Sequence, residues 1–292
     1  MDVIIIFNGL GNQMSQYAFY LNKKSINKST YFIPFCEDHN GLELNKVFNI
    51  KIRETYLQTL LYVLFRILLT DKIQFIAKPV QRLLRFLKCS IIKENFNYNF
   101  NKEYLTPSKG ITYYYGGWHS EKYFCNSKNE ILKKFKFIIP LNSENITHLN
   151  NIYTTNSVSI HVRRGDYLNY KNFNLFGDVC NKAYYEKTIE YMYSIIKQPH
   201  FFVFSNDMEW VKSNLQINNV TYVTCNSGFN SWIDMYLMSN CKHNIVSNST
   251  FSWWGAWLNT NNDKIVISSN LFFKTKEFTD IYPKSWIKIS DY

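Results

Sequence analysis

Between Ser157 and Tyr170 the chain reads SVSIHVRRGDYLNY, an alternating apolar run that breaks into two arginines, a glycine and an aspartate. Arginine forks match phosphate oxygens two at a time, so a diphosphate is the natural guest of such a cluster. If the run is a strand, alternation puts His161 and Arg163 on one face and Arg164 on the other. One arginine then meets a ligand beside the histidine while the other pairs with a carboxylate inside the domain. A structural ion pair for both is the alternative.

Three more loops have chemistry-bearing content. Asn8-Gly9-Leu10-Gly11-Asn12-Gln13 follows an apolar run and precedes helical spacing, so backbone N–H groups there could approach a ligand, or the glycines could serve a tight turn. It lacks the third glycine of a dinucleotide fingerprint and the lysine of a P-loop. Ser205-Asn206-Asp207 reads as a helix N-cap. Ser247-Asn248-Ser249-Thr250, ahead of Phe251-Ser252-Trp253-Trp254, puts hydroxyls at a helix start, a cradle for an anion. Upstream, Asp234 could accept two N–H donors from a guanine edge. No DxD, HExxH or carboxylate cluster points to a metal, and the expectation is a metal-independent site.

The elements that must hold these loops alternate. Strands are expected at 3–7, 29–36, 111–118, 157–162, 201–205, 220–224, 244–247 and 264–268. Helices are expected at 14–21, 128–136, 181–197, 207–214, 229–240 and 251–259. That alternation predicts an α/β fold with parallel sheets, whose ligands bind at the carboxyl ends of strands. The Asn-rich stretch 140–155 reads as a linker, dividing residues 1–150 from residues 151–292. Residues 56–93 carry helical spacing broken by Arg66, Lys72, Lys78, Pro79, Arg82, Arg85 and Lys88, too interrupted for a membrane span. They predict two amphipathic helices, packed on the core or touching anionic lipid.

The 292 residues are 46% hydrophobic and 18% aromatic, with a net charge of +11. That balance permits an anionic partner without choosing one. Six dispersed cysteines without zinc spacing predict buried free thiols in a reducing compartment. The start MDVIIIFNGL lacks the basic region of a signal peptide, so the expectation is a cytoplasmic protein, with the inner face of a membrane as the surface it could touch.

NGLGNQMSQYA, HVRRGDY, VFSNDMEWVK, SNSTFSWWGAWL and the closing YPKSWIK occur in one order, and together resemble the α-1,2-fucosyltransferases of glycosyltransferase family 11. The resemblance implies a GT-B architecture, two Rossmann-like halves facing a cleft, with the C-terminal half holding GDP-fucose and the N-terminal half on the acceptor side. It implies metal-free, inverting transfer to a galactose-terminated glycan acceptor, with GDP-fucose as donor substrate and no bound cofactor. Arg163 would then meet the β-phosphate, His161 and Ser205 the nucleotide, Asp234 the guanine, and Thr250 with Ser249 a phosphate. Gly9, Gly11, Asn12 and Gln13 would close the donor site. Asp166, just past the strand carrying Arg163, is the first base to consider, or an ion-pair partner of Arg164; Asp178 is the second. Phe176 departs from the histidine that resembling sequences often carry. Two alternatives stand beside this reading: GDP-fucose transfer to another acceptor or linkage, and a non-catalytic basic protein binding nucleic acid or membrane. No nucleic-acid motif supports the latter, and no nucleic-acid partner is expected.

Overall fold

The computed structural model describes residues 1–37, 39–52, 55–69, 74–95, 98–138, 140–274 and 280–290. It divides into two compact units, Met1–Ile138 and Ile139–Tyr292.

The first unit carries β1 (Asp2–Ile6), α1 (Leu10–Ile26), β2 (Thr30–Pro34), α2 (Leu44–Val47), α3 (Tyr56–Leu69), α4 (Gln74–Phe86), β3 (Cys89–Lys93), β4 (Ile111–Tyr115) and α5 (Lys128–Lys134). Its four strands are all parallel, in the order β2-β1-β4-β3. Val3, Ile4, Ile5 and Ile6 of β1 are fully buried, as a continuous apolar run in the middle of a parallel sheet must be. Asp2 opens that strand without exposure because Lys23 lies 3.4 Å away and Asn27 and Ser108 donate to its carboxylate. Burial works against its charge, but those donors and Lys23 outweigh it and hold its pKa down.

The second unit carries α6 (Ser143–Thr154), β5 (Asn156–Val162), α7 (Tyr170–Phe176), α8 (Lys182–Ile195), β6 (Pro199–Ser205), α9 (Met208–Asn214), β7 (Val220–Val223), α10 (Trp232–Asn240), β8 (His243–Ile245), α11 (Thr250–Leu258), β9 (Val266–Ser269) and β10 (Ile287–Ile289). Six parallel strands run β10-β9-β8-β5-β6-β7, so the order reverses between β5 and β8. Such a reversal opens a crevice at the carboxyl ends. On one face of β5, Val158, Ile160 and Val162 enter a core with Tyr184, Tyr185 and Ile189 of α8. Each such aliphatic side chain stabilises the fold by about 1.5–3 kcal/mol. The other face is a buried polar stripe. Ser157 accepts from the Lys242 N–H, Ser159 from the Asn244 amide, and His161 bonds Ser247.

Two parallel α/β halves are as the alternation predicts. The division differs: it falls at residue 138, and the stretch read as a linker is α6. Asn142 caps that helix by accepting the Asn145 N–H, and Asn145 and Ile152 are fully buried, so most of its asparagines ride on a short helix around a small anchored face. The apolar tail of the 56–93 stretch, Cys89 to Lys93, is strand β3, and the closing segment adds β10, both given to other structure by the sequence reading. Trp253, Trp254 and Trp257 pack inside on α11, as their spacing suggests. All six cysteines are free, but only Cys89, Cys180 and Cys241 are buried, Cys36 and Cys225 being half-buried and Cys125 exposed.

Candidate functional site

At the carboxyl ends of β5, β6 and β7 lies a cleft of about 500 Å³ whose lining includes His161, Arg163, Ser205, Asn206, Asn226 and Asp234, with Phe251 closing one side. All of it belongs to the second unit. The strands supply the first residues of each loop, which is why sequence positions far apart converge. Two tyrosines of α8 pin the strand ends from below: Tyr185 donates to the His161 carbonyl at 3.1 Å and Tyr184 to the Val246 carbonyl at 2.6 Å.

His161 is buried. Burial first, and the Arg163 charge second, push its pKa down to about 3, so the ring is neutral near pH 7. Its Nδ1 lies 2.9 Å from Ser247 Oγ, which lies 3.3 Å from Ser252 Oγ. Ser252 has a single hydroxyl proton and places it on the Ser249 or Ser247 carbonyl. With the Ser252 proton on a carbonyl, Ser247 can donate to Ser252 and accept from His161 Nδ1. That order leaves Nε2 as a lone-pair acceptor, suited to a ligand hydroxyl or N–H rather than to a phosphate oxygen.

The two arginines, just past the end of β5, part company. Arg163 lines the cleft, its Nε 2.9 Å from Asp166 Oδ1, close but too poorly aligned to count as a hydrogen bond for either atom. Arg164 turns away: its Nε donates to Asp207 Oδ2 at 3.2 Å and its guanidinium lies 4.0 Å from the Trp210 ring. The same Asp207 caps α9 through the Trp210 N–H, and Asn206 accepts the Arg164 N–H. A side chain on Gly165 would meet the Asn206 amide at 2.4 Å, so glycine lets that loop close onto β6. The ion pair with Arg164 that stood as the alternative role of Asp166 does not form. A 3-10 turn, Gly165–Leu168, folds Asp166 back onto the residue three before it, which is Arg163.

Asp234 stands on the opposite wall. Asn226 donates to its Oδ1 at 2.8 Å, yet desolvation outweighs that bond and raises its pKa to about 7. Asn226 is itself held by a reciprocal amide pair with Asn145 of α6, at 2.9 Å in both directions. The sequence reading missed Asn226 and Asn145, and it missed Ser247 as the partner of His161. Only the polar turn around Asn226 and the hydroxyl run beginning at Ser247 could have flagged any of them.

Other expected residues lie elsewhere. Ser249 is the N-cap of α11, buried, its Oγ accepting the Phe251 N–H, and it is Phe251 rather than Thr250 that lines the cleft. Ser205 accepts the Asp207 N–H at the cleft floor. Asp178 is exposed, in a left-handed turn at φ 56° after Gly177, and does not line the cleft. Phe176 stacks on Tyr167 with centroids 4.8 Å apart.

In the first unit the glycine loop is self-satisfied. Gln13 is fully buried and donates to the Asn8 and Gly41 carbonyls, while Glu43 accepts the Leu10 N–H that opens α1. Asn12 donates its backbone N–H to the Gly9 carbonyl, and Gly11 is buried in α1. That helix start already carries a carboxylate, which works against an anion there and for the turn reading of Gly9 to Gln13. Glu94, which the sequence reading passed over, follows β3 and accepts the Gly117 and Trp118 N–H groups at 2.8 Å; burial still lifts its pKa to about 7. Trp118 and His119 are both buried, Trp118 stacked on Phe19 at 4.3 Å.

Comparison with known proteins gives the arrangement a lineage. The chain is 32% identical to an alpha-1,2-colitosyltransferase of Escherichia coli over 99% of both chains. It is 42% identical to the O-antigen biosynthesis glycosyltransferase WbnK of Escherichia coli over 46% of this chain and 45% of that protein. Human galactoside alpha-(1,2)-fucosyltransferase 1 matches at 32% over 43% of this chain and 34% of its own length. Among solved structures, the fucosyltransferase NodZ from Bradyrhizobium aligns with a TM-score of 0.47 and 12% identity, covering 87% of this chain and 92% of that one. The model of glycosyl transferase family 11 matches residues 95–290, a span that contains the whole cleft. The chain belongs to glycosyl transferase family 11.

Proposed function

We propose that this protein transfers L-fucose from GDP-β-L-fucose, with inversion, to the 2-hydroxyl of a terminal β-galactoside in the synthesis of a cell-surface glycan. The observation that carries the reading is the convergence, in one cleft, of Arg163, a neutral His161 with its acceptor nitrogen free, and the buried carboxyl of Asp234. A nucleoside diphosphate has a complement for each. Asp234 accepts the two N–H donors of guanine, His161 Nε2 accepts a hydroxyl of the nucleotide sugar, and Arg163 takes the diphosphate in the cleft that Phe251 of α11 also lines. The departing charge is met by these groups rather than by a divalent ion. When phosphate takes the guanidinium of Arg163, Asp166 is released and becomes the base for the acceptor hydroxyl. The two units form the two halves of a GT-B enzyme, the first on the acceptor side.

One observation favours a second donor. The relative that matches over 99% of both chains is named a colitosyltransferase, and colitose is a fucose analogue. Incubating the enzyme with lactose and either GDP-fucose or GDP-colitose decides. An α-1,2-fucosylated product supports the first reading, product from GDP-colitose alone supports the second, and product from neither overturns both.

A peripheral membrane contact belongs to the same reading. Val80, Leu83, Phe86 and Leu87 are exposed on and just after α4, among Lys78, Arg82, Arg85 and Lys88. An exposed apolar face backed by a basic one on the same helix suits an anionic lipid surface. Co-sedimentation with anionic but not neutral vesicles, weakened by Arg82→Glu with Arg85→Glu, is the expected result. Equal recovery with both vesicle types counts against it.

A further inference from the structure

We propose that Glu144, His148 and Cys225 form a binding site for a zinc-class divalent cation on the second unit, behind the wall of the cleft that carries Asp234. One carboxylate oxygen, one imidazole nitrogen and the thiol sulfur lie within 4.8 Å of one another. Glu144 and His148 are one helical turn apart on α6 and so share a face, while Cys225 reaches them from the loop after β7. Ligands around a tetrahedral zinc at its usual bond lengths sit about 3.4 Å apart, so closure needs about 1 Å of side-chain movement. Glu144 is exposed and has that freedom.

A second observation stands beside it: among the described residues, the His148 Nδ1 atom is buried without a hydrogen-bond partner. A buried nitrogen in that state costs stability unless something occupies it. The donor set names the class. An imidazole, a thiolate and one carboxylate suit Zn²⁺ and its neighbours, whereas Mg²⁺ and Ca²⁺ prefer all-oxygen sites. Binding exchanges the thiol proton of Cys225 to solvent and leaves a fourth position for water. No sequence motif announces the site, because its third ligand lies 77 residues beyond His148.

The site also touches the cleft's supports. Cys225 Sγ lies 3.6 Å from Asn145 Oδ1, and that oxygen accepts the Asn226 amide, which in turn donates to Asp234. A cation here therefore ties α6 to the loop that carries Asn226.

The test is a Co²⁺ titration of the full chain after dialysis against a chelator. A thiolate-to-metal charge-transfer band with four-coordinate visible bands, displaced by Zn²⁺, is the expected result. Cys225→Ser should remove the charge-transfer band, and His148→Ala should weaken Co²⁺ binding at least about 100-fold. Both variants should keep the wild-type circular dichroism spectrum in metal-free buffer. Zn²⁺ should raise the thermal midpoint of the wild type and of Cys125→Ser but not of Cys225→Ser. Absence of the charge-transfer band in the wild type, or its persistence in Cys225→Ser, overturns the site.

Discussion

If guanine is held by the Asp234 carboxylate, nucleotide binding must be linked to a proton. The folded pKa of Asp234 is raised from 3.8 to about 7, so the free protein carries this carboxyl largely protonated below neutrality. A protonated carboxyl cannot accept both guanine donors, so affinity is full above about pH 7 and falls as pH drops through it. A group with pKa about 7 is about nine-tenths ionised at pH 8 and about one-tenth at pH 6, which predicts about tenfold weaker binding at pH 6, or about 1.4 kcal/mol. The sign for the free protein is opposite. A raised carboxyl pKa contributes stability that is present below 3.8 and lost as pH rises through about 7, so ligand should stabilise most at pH 8. The assay is calorimetry with a GDP-sugar, whose diphosphate has no terminal phosphate to titrate near pH 6, in two buffers of different ionisation enthalpy. About 0.9 proton should be released at pH 6 and about 0.1 at pH 8. Asp234→Asn should bind weakly with no linkage. A flat affinity from pH 6 to 8 without proton release, or an Asp234→Asn variant that binds as wild type, refutes the reasoning.

Arg163→Ala should lower kcat by about 10²–10³ if it meets the departing diphosphate, whereas Arg164→Ala should cost about 1 kcal/mol of stability through Asp207 and Trp210 and leave turnover near wild type; steady-state kinetics beside thermal melts would separate them, and equal kinetic losses would erase the division. Asp166→Asn should lower kcat by about 10²-fold or more with donor KM unchanged if Asp166 is the base. A raised donor KM at normal kcat would reduce it to a residue that merely orients Arg163. Nitrogen-15 spectra should show His161 as the Nδ1–H tautomer from pH 5 to 8, and an imidazolium signal in that range would break the chain of donors through Ser247 and Ser252.

The parallel α/β halves were legible because period-two and helical spacing alternate along the chain. The split of Arg163 from Arg164 agrees with the alternation of the run before them, although both lie just past the end of β5. The partner of Asp166 was not legible. Whether an aspartate three residues on folds back depends on the turn after the strand, and Gly165 leaves room in that turn for the Asn206 amide, from the loop after β6. Asn145 escaped notice for a similar reason: in the sequence it is one asparagine among several, and only the reciprocal bond with Asn226 ties it to the cleft. Glu94 looked like any surface acid until two N–H groups of the Gly117 turn were found on it.

The cleft's electrostatics explain why it needs so few charges. His161 is held neutral and Asp234 near half-ionisation, so in the empty state Arg163 is the cation facing the cavity and Asp166 stands within 2.9 Å to compensate it. Keeping one matched pair, rather than an exposed row of arginines, limits the desolvation cost of an empty site. A dianionic diphosphate then exchanges with Asp166 for the guanidinium, and guanine replaces the proton on Asp234 with two N–H donors. On the proposed reading the first exchange frees one carboxylate beside the reacting sugar. Donor binding would thereby prepare the base for the acceptor.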